Sequence, residues 1–339
     1  MKAKIIGCGL TGITSAILLK EKGYSVEIFD CRDHIGGNCY DEKRNGITVH
    51  KYGCHIFHTN DDEVWSFLNR YTSFNEYTHK ARANTKDYGL ISIPYSFKTR
   101  DQIGRDLSIE EIQKTIFIDY SERQWGIKWS DLPKSISNRV PTKRDNYDDR
   151  YFTDKYQGIP SLGYTNMLSN MLDGITVHLN IDKKYYKKII NDNDFDILIY
   201  TGKPDEYFDY CYGWLGYRSL RFEHFLSEKN DLYNWSLGSS INECNKSLFN
   251  RTTDNSVFLN EISNVNNKTI YTRDYPEEHS ATNDPIYPKN FGNNIKIYHK
   301  YNKLIKQQPK IIFLGRLATY KYLDMWMAIK QVFQKLGSI

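Results

Sequence analysis

Lys4-Ile5-Ile6-Gly7-Cys8-Gly9-Leu10-Thr11-Gly12, with Val26-Glu27-Ile28-Phe29-Asp30 downstream, is the stretch whose reading decides the fold. The apolar residues before Gly7 read as a buried strand. Thr11 to Lys22 reads as a helix with Ile13, Ile17 and Leu18 on one face, and Tyr24 to Phe29 as a second strand. A strand, a Gly-x-Gly-x-x-Gly turn and a helix in that order make a dinucleotide-binding unit. Gly7 permits the tight turn, Gly9 admits a pyrophosphate, Gly12 lets helix and strand approach, and the amides at Leu10 and Thr11 face the diphosphate. Asp30 ends the second strand, where a carboxylate can accept both hydroxyls of an adenosine ribose. A glycine turn without a nucleotide would give the same three glycines, and Asp30 is what weighs against it. Arg32-Asp33-His34-Ile35-Gly36-Gly37-Asn38 comes directly after, and its glycine pair lets backbone pass beside a flavin diphosphate. Together these residues predict an FAD-binding α/β protein.

The chain has 339 residues and 40% hydrophobic content, enough for a sizeable core and near the size at which single cores divide. Lys and Arg number 46 against 41 Asp and Glu, spread along the chain rather than gathered in a block. That distribution argues against nucleic acid and is compatible with a polyanionic small ligand. Cys8, Cys31, Cys39, Cys54, Cys211 and Cys244 show neither a CxxC pair nor a disulfide-scaffold spacing, so a cytoplasmic setting is expected, with no metal site. No run reaches the roughly 18 to 20 apolar residues of a membrane helix, so no membrane partner is expected.

The expected fold class is α/β: a Rossmann-like FAD-binding domain interleaved with a small helical lobe and an antiparallel β-sheet domain. Residues 1–75 form the first FAD-binding part. Residues 76–150 form a mainly helical lobe, with a Ser108-x-x-Glu111 capping box and a mobile substrate loop at about 128–143. Residues 151–202 return to the FAD-binding sheet, with Ile197 to Tyr200 as a buried strand before Thr201-Gly202. Residues 203–300 form an antiparallel sheet substrate domain, with short β-type pieces at Val257 to Leu259 and Thr269 to Thr272. Residues 301–339 close the FAD-binding domain: Lys310 to Leu314 is a strand, Gly315 its turn, and Leu323 to Leu336 an amphipathic helix whose start at Asp324 and Met325 can point amides at a flavin.

Longer strings say more. They are Arg32 to Asn38, His50-Lys-Tyr-Gly-Cys-His-Ile-Phe-His-Thr-Asn60, Tyr120-Ser-Glu-Arg-Gln-Trp-Gly126, Tyr151-Phe152 with Tyr156-Gln-Gly-Ile-Pro160, Gly216-Tyr-Arg218 and Gly315 to Met325. With them the chain resembles, over nearly its whole length, the UDP-galactopyranose mutase family, flavoenzymes that interconvert pyranose and furanose forms of a UDP-sugar. The resemblance implies FAD that is active when reduced, by a reductant such as NAD(P)H or dithionite. Its N5 serves as nucleophile at the anomeric carbon, without net redox. The resemblance also implies that Arg139 and Arg251 hold the UDP diphosphate, for which a guanidinium is suited by its bidentate geometry. It places the hydroxyls of Tyr287 and Tyr322 on the same diphosphate, and Tyr120, Trp125 and Tyr151 around the uridine and near phosphate. Phe117, Ser121 and Arg218 are substrate-binding, and His79 lies on the sugar side. His55 and His58 lie on the flavin face, with His58 catalytic alongside the two arginines. Gly315, Arg316, Tyr322, Leu323, Asp324 and Met325 make the closing flavin motif. Read alone, Arg251 has an exposed loop charge as its lesser alternative, Asp324 is equally a simple helix-start residue, and each tyrosine is better read as a core residue.

The chain also departs from the family's pattern. The stretch from Phe97 to Tyr120 is shorter than in the bacterial enzymes, removing helices used for dimer contacts, so a monomer or an altered dimer is expected. Ile116 stands where an aromatic commonly stacks on uracil, and Asp119 where a small residue precedes Tyr120. Phe249-Asn-Arg-Thr-Thr-Asp254 replaces the usual Tyr-Thr-Arg followed by Glu. Cys54 and His79 leave the sugar open. The leading expectation is an isomerase interconverting UDP-galactopyranose and UDP-galactofuranose. The alternative sugars are UDP-arabinopyranose and UDP-N-acetylgalactosamine. The alternative classes are an FAD-dependent amine oxidase or dehydrogenase and a nucleotide-sugar binder without turnover.

Overall fold

The computed structural model describes residues 1–137, 142–229 and 238–337. The opening strand, Lys2–Ile6, lies at the centre of a five-stranded parallel sheet in the order Thr176–His178, Ser25–Phe29, Lys2–Ile6, Ile197–Tyr200, Ile311–Phe313. Its strands come from three distant parts of the chain, so the dinucleotide domain is assembled around inserted segments. Helix Leu10–Glu21 is apolar around most of its surface, and Ile13, Ala16 and Leu19 are wholly buried. A helix with no polar face needs cover on every side. The sheet supplies one side, and helices Tyr164–Met171 and Met325–Leu336 supply the others.

This packing leaves no room at Gly12, where an added Cβ would stand 1.9 Å from the Gly7 carbonyl oxygen. Gly12→Ala must push helix from strand. We expect it to cost at least about 1–3 kcal/mol, by analogy with overpacked cores, and to weaken cofactor retention. Thermal melting with and without added FAD reads both effects, and a variant that melts like the wild type would contradict the close approach.

The second sheet has seven strands in the order Tyr287–Pro288, Tyr217–Glu228, Lys268–Glu278, Arg251–Asp254, Ser240–Cys244, Ala81–Thr85, Gly89–Ile93. Every pairing is antiparallel except that of Ser240–Cys244 with Ala81–Thr85. The span 76–150, expected to be mainly helical, thus begins with a hairpin on the edge of this sheet, and its helices start only at Phe97. Ala81 and Ala83 face the core of that lobe. The piece expected as strand at Val257 to Leu259 is instead the end of a 3-10 turn, Asn255–Val257, and the turn that follows it, because the Asp254 carboxylate caps it by accepting from the Ser256 amide at 3.0 Å.

Ser108 and Glu111 do form the reciprocal capping box, with bonds of 3.2 and 2.8 Å. The helix they start does not stay regular: a π-turn at Gln113–Phe117 separates Ile109–Ile112 from Ile118–Trp125. Such an insertion rotates the next helical turns about the axis and is a frequent mark of functional sites. Among the described residues, no helix is long and apolar enough to cross a membrane.

Candidate functional site

The cofactor arm is built from backbone. Gly7 takes φ +105°, and a Cβ there would meet Thr201 Oγ1 at 2.0 Å. Gly9 and Gly36 form a parallel bridge, and a Cβ on Gly37 would stand 2.9 Å from the Gly9 Cα. Two side-chain-free segments therefore meet beside the first turn of Leu10–Glu21, whose leading amides have no intrahelical acceptor. Asp30 is buried, with Oδ2 accepting from the Cys8 amide at 2.6 Å and Oδ1 from the Arg32 amide at 2.9 Å. Each oxygen keeps a second lone pair for a ribose hydroxyl. Arg32 braces the glycine-pair loop: it donates to Asn38 Oδ1 and Asp284 Oδ2 and lies over the Tyr52 ring. Gly315, at φ +89°, packs against Thr11, and its amide donates to Gln331 Oε1 of the closing helix. Such a glycine-lined cradle beside a buried acid fits the diphosphate and ribose of FAD.

Beyond Asn38 the arm opens into a cavity of about 370 Å³, within the usual range for small-molecule sites. His55, His58, Arg316, Tyr322, Asp324 and Met325 line it on the side of the cofactor arm. His79, Arg251 and Tyr287 come from the seven-stranded sheet and its approaches, Cys54 from the loop between strands Ile47–His50 and Phe57–Thr59, and Phe117, Tyr120, Ser121, Trp125 and Tyr151 from the helical lobe and adjoining loops. Phe117, Tyr120, Ser121 and Gln124, at i, i+3, i+4 and i+7, reach the cavity from one face of helix Ile118–Trp125 and its N-cap, directly after the π-turn. Leu323 contributes only its carbonyl, which accepts from Arg316 Nε and Nη2 at 3.2 and 2.6 Å. The pinned Arg316 lies beside Tyr287 and Tyr322, whose rings stack at 5.9 Å.

Arg251 is not an exposed loop charge. Strand register sets it between Asn242 and Asp274, and its Nε and Nη2 both donate to Asp274 Oδ2, at 2.9 and 2.7 Å. Nη1 has no partner among the described residues. Burial raises the phenols of Tyr120, Tyr151, Tyr287 and Tyr322 above their ordinary value, so all four remain O–H donors at neutral pH. Anchored guanidinium groups, Arg251 and Arg316, among neutral donors are a setting for an anion with several oxygens.

Burial lowers His55 and His79 to about 3, so both are neutral at pH 7. His55 Nδ1 donates to the Gly53 carbonyl at 2.8 Å, and its amide donates to His50 Nδ1 at 3.0 Å. His79 has both nitrogens engaged, Nδ1 with the Tyr77 hydroxyl at 3.1 Å and Nε2 with Ser240 Oγ at 3.4 Å. It therefore presents mainly ring surface to the cavity. His58 stacks on Phe152 at 3.7 Å, and Nδ1 donates to Asp154 Oδ2 at 3.0 Å.

Two expected contacts stand apart. Arg218 does not line the cavity: it donates to the Gln124 and Arg123 carbonyls and to Glu278, so its guanidinium caps the end of helix Ile118–Trp125. That correction makes it a support for the residues of that helix. Arg139 lies outside the described residues. Sequence reasoning missed Asp274, which only strand pairing brings to Arg251. It also missed Asp154, whose signal was an acid two residues after the aromatic pair Tyr151-Phe152, Gln124, which lies within the Tyr120 to Gly126 string, and Ser240 and Asn242, which carry no motif.

Comparison with known proteins agrees with this geometry. A family model described as UDP-galactopyranose mutase matches residues 115–322, and one for an NAD(P)-binding Rossmann-like domain matches residues 5–71. The dTDP-fucopyranose mutase of Escherichia coli is 33% identical, over 98% of this chain and 97% of that one. A probable UDP-galactopyranose mutase of Klebsiella pneumoniae is 32% identical, over 96% and 91%. Among solved structures, a reduced UDP-galactopyranose mutase superposes with a TM-score of 0.75 at 15% identity, covering 100% of this chain and 96% of that one. Putrescine oxidase bound to putrescine superposes with a TM-score of 0.61 at 11% identity, over 100% and 99%, and these two likenesses establish the fold. By the family match across most of the chain and the full-length relatives, the protein belongs to the UDP-galactopyranose mutase family, flavin-dependent mutases built on a Rossmann-like domain.

Proposed function

We propose that the protein holds reduced FAD and interconverts the pyranose and furanose forms of a nucleoside-diphosphate hexose, UDP-galactose being the first substrate expected. The observation that carries this reading is Arg251, fixed by Asp274 among four protonated phenols in the cavity onto which His55, Arg316 and Asp324 also open. The reduced flavin, when bound, supplies a nucleophilic nitrogen for the anomeric carbon. Arg251 Nη1 and the hydroxyls of Tyr120, Tyr287 and Tyr322 bind the diphosphate and stabilise the charge it gains as it leaves. Arg139, carried over by resemblance, is assigned to the same oxygens. Trp125, Phe117 and Tyr151 enclose the nucleoside and near phosphate, and His58 and His79 border the hexose. The neutral state of His55 and His79 keeps the sugar end free of competing cations for the diphosphate.

A second substrate reading rests on its own observation. Ile93, Pro94 and Ile116 give the cavity an apolar lining on the lobe side, which suits the methyl group of thymine. The Escherichia coli relative is named for a dTDP-fucopyranose. Dithionite-reduced protein should convert UDP-galactofuranose or dTDP-fucofuranose to the pyranose form, separated by chromatography, while the oxidised protein stays inert and no electron acceptor is consumed. Conversion by the oxidised protein, or net oxidation of substrate, would sink the proposal. The ratio of kcat/KM values between the two nucleotides selects the substrate.

A further inference from the structure

Contraction of a hexopyranose to a furanose moves one proton. The hydroxyl that attacks the anomeric carbon loses it, and the old ring oxygen, released from that carbon, gains it. One basic atom in a fixed orientation can accept it from the first and return it to the second. His58 stands on Phe57–Thr59, which pairs antiparallel with Tyr156–Gly158. Just before the partner strand comes Asp154. Its Oδ2 accepts from His58 Nδ1 at 3.0 Å, and its Oδ1 accepts from Asn60 Nδ2 at 3.0 Å, so the carboxylate is itself held. The Phe152 ring covers one face of the imidazole at 3.7 Å and 10°. The imidazole cannot turn without losing both contacts. Since a carboxylate only accepts, Nδ1 carries the proton, and Nε2, which has no partner among the described residues, is the nitrogen left for a ligand in the cavity that His58 lines.

We propose that Asp154 is a positioning residue for ring contraction: it holds His58 with Nδ1 protonated, so that Nε2 takes the proton of the attacking hydroxyl and gives it back to the old ring oxygen. The proposal rests on the mutase reading above. Asp154 is the carboxylate bonded to His58, and His79, on the approach to strand Ala81–Thr85, is neutral.

The test compares FAD-loaded, reduced wild type with Asp154→Asn and Asp154→Glu. In the Asn variant kcat should fall on the order of 10²-fold, the range of one general acid–base contact, while KM and bound FAD hold. Asp154→Glu should recover most of the rate, and 15N spectra of histidine-labelled protein should show the Nδ1–H form of His58 in the wild type. An Nε2–H form in the wild type, or an unchanged kcat in Asp154→Asn, would overturn the role of Asp154 while the wild type still turned over. A wild type inert toward every sugar nucleotide would sink the mutase reading, and this role with it.

Discussion

Arg251→Ala is expected to lower kcat/KM on the order of 10²- to 10³-fold, the loss typical when one donor to a developing anion is removed. It should also lower stability, for a reason specific to this site. Asp274 is 2% exposed at its side chain, and its Oδ2 is the acceptor for two of the Arg251 donors. Removing the guanidinium strands a buried carboxylate, at a cost of about 3–5 kcal/mol by the behaviour of broken buried pairs. Activity alone therefore cannot assign the role. Arg251→Lys separates the two effects, because it returns a positive charge to Asp274 but not the fork that lets one side chain serve Asp274 and a phosphate together. The Lys variant should melt close to the wild type and still lose most of its kcat/KM. Wild-type turnover in Arg251→Lys would remove Arg251 from the diphosphate site and leave it a purely structural partner of Asp274.

That pair also marks where sequence reading stops. The cofactor arm was legible because its physics is local: Gly7, Gly9 and Gly12 act within one turn, and Asp30 acts at the end of the next strand. The Ser108 and Glu111 box was legible for the same reason. Arg251 and Asp274 meet only through the register of two strands 23 positions apart. No spacing announces that register. The hairpin at residues 81–93 was hidden because Ala81-Arg-Ala-Asn-Thr85 has the small residues of a strand lying against other structure, without the branched apolar residues that usually betray one. Arg218 shows the opposite failure. A motif brought it into the substrate set, yet three of its donors are spent on Gln124, Arg123 and Glu278, so it serves the site by holding the helix that carries Tyr120 and Trp125. A motif identifies residues a site needs without distinguishing those that touch ligand from those that hold the ones that do.

The second large effect expected is acid lability between pH 7 and 5. His50, His55 and His79 are each lowered by burial to about 3, against about 6.5 in an unfolded chain. Proton counts give the sign: between those values the unfolded state binds a proton at each histidine and the folded state does not, so stability is present above about 6.5 and is lost as pH falls. At pH 5 the loss is about 2 kcal/mol per histidine and about 6 for the three if they act independently, a large share of the 5–15 kcal/mol typical of folded proteins. Glu111, held down to about 2 by Arg105 and the Ser108 cap, remains ionised throughout this window. His50 is the cleanest probe. It is buried, stacked on Phe258 at 4.8 Å, and holds the His55 amide through Nδ1 without lining the cavity. His50→Gln keeps an acceptor for that amide but cannot be protonated. Denaturant unfolding of the FAD-loaded protein should therefore show a drop from pH 7 to 5 that shrinks by about 2 kcal/mol in the variant. Equal stability of the wild type at the two pH values would mean that these histidines gain solvent or a partner when charged, and the burial argument for all three would fail.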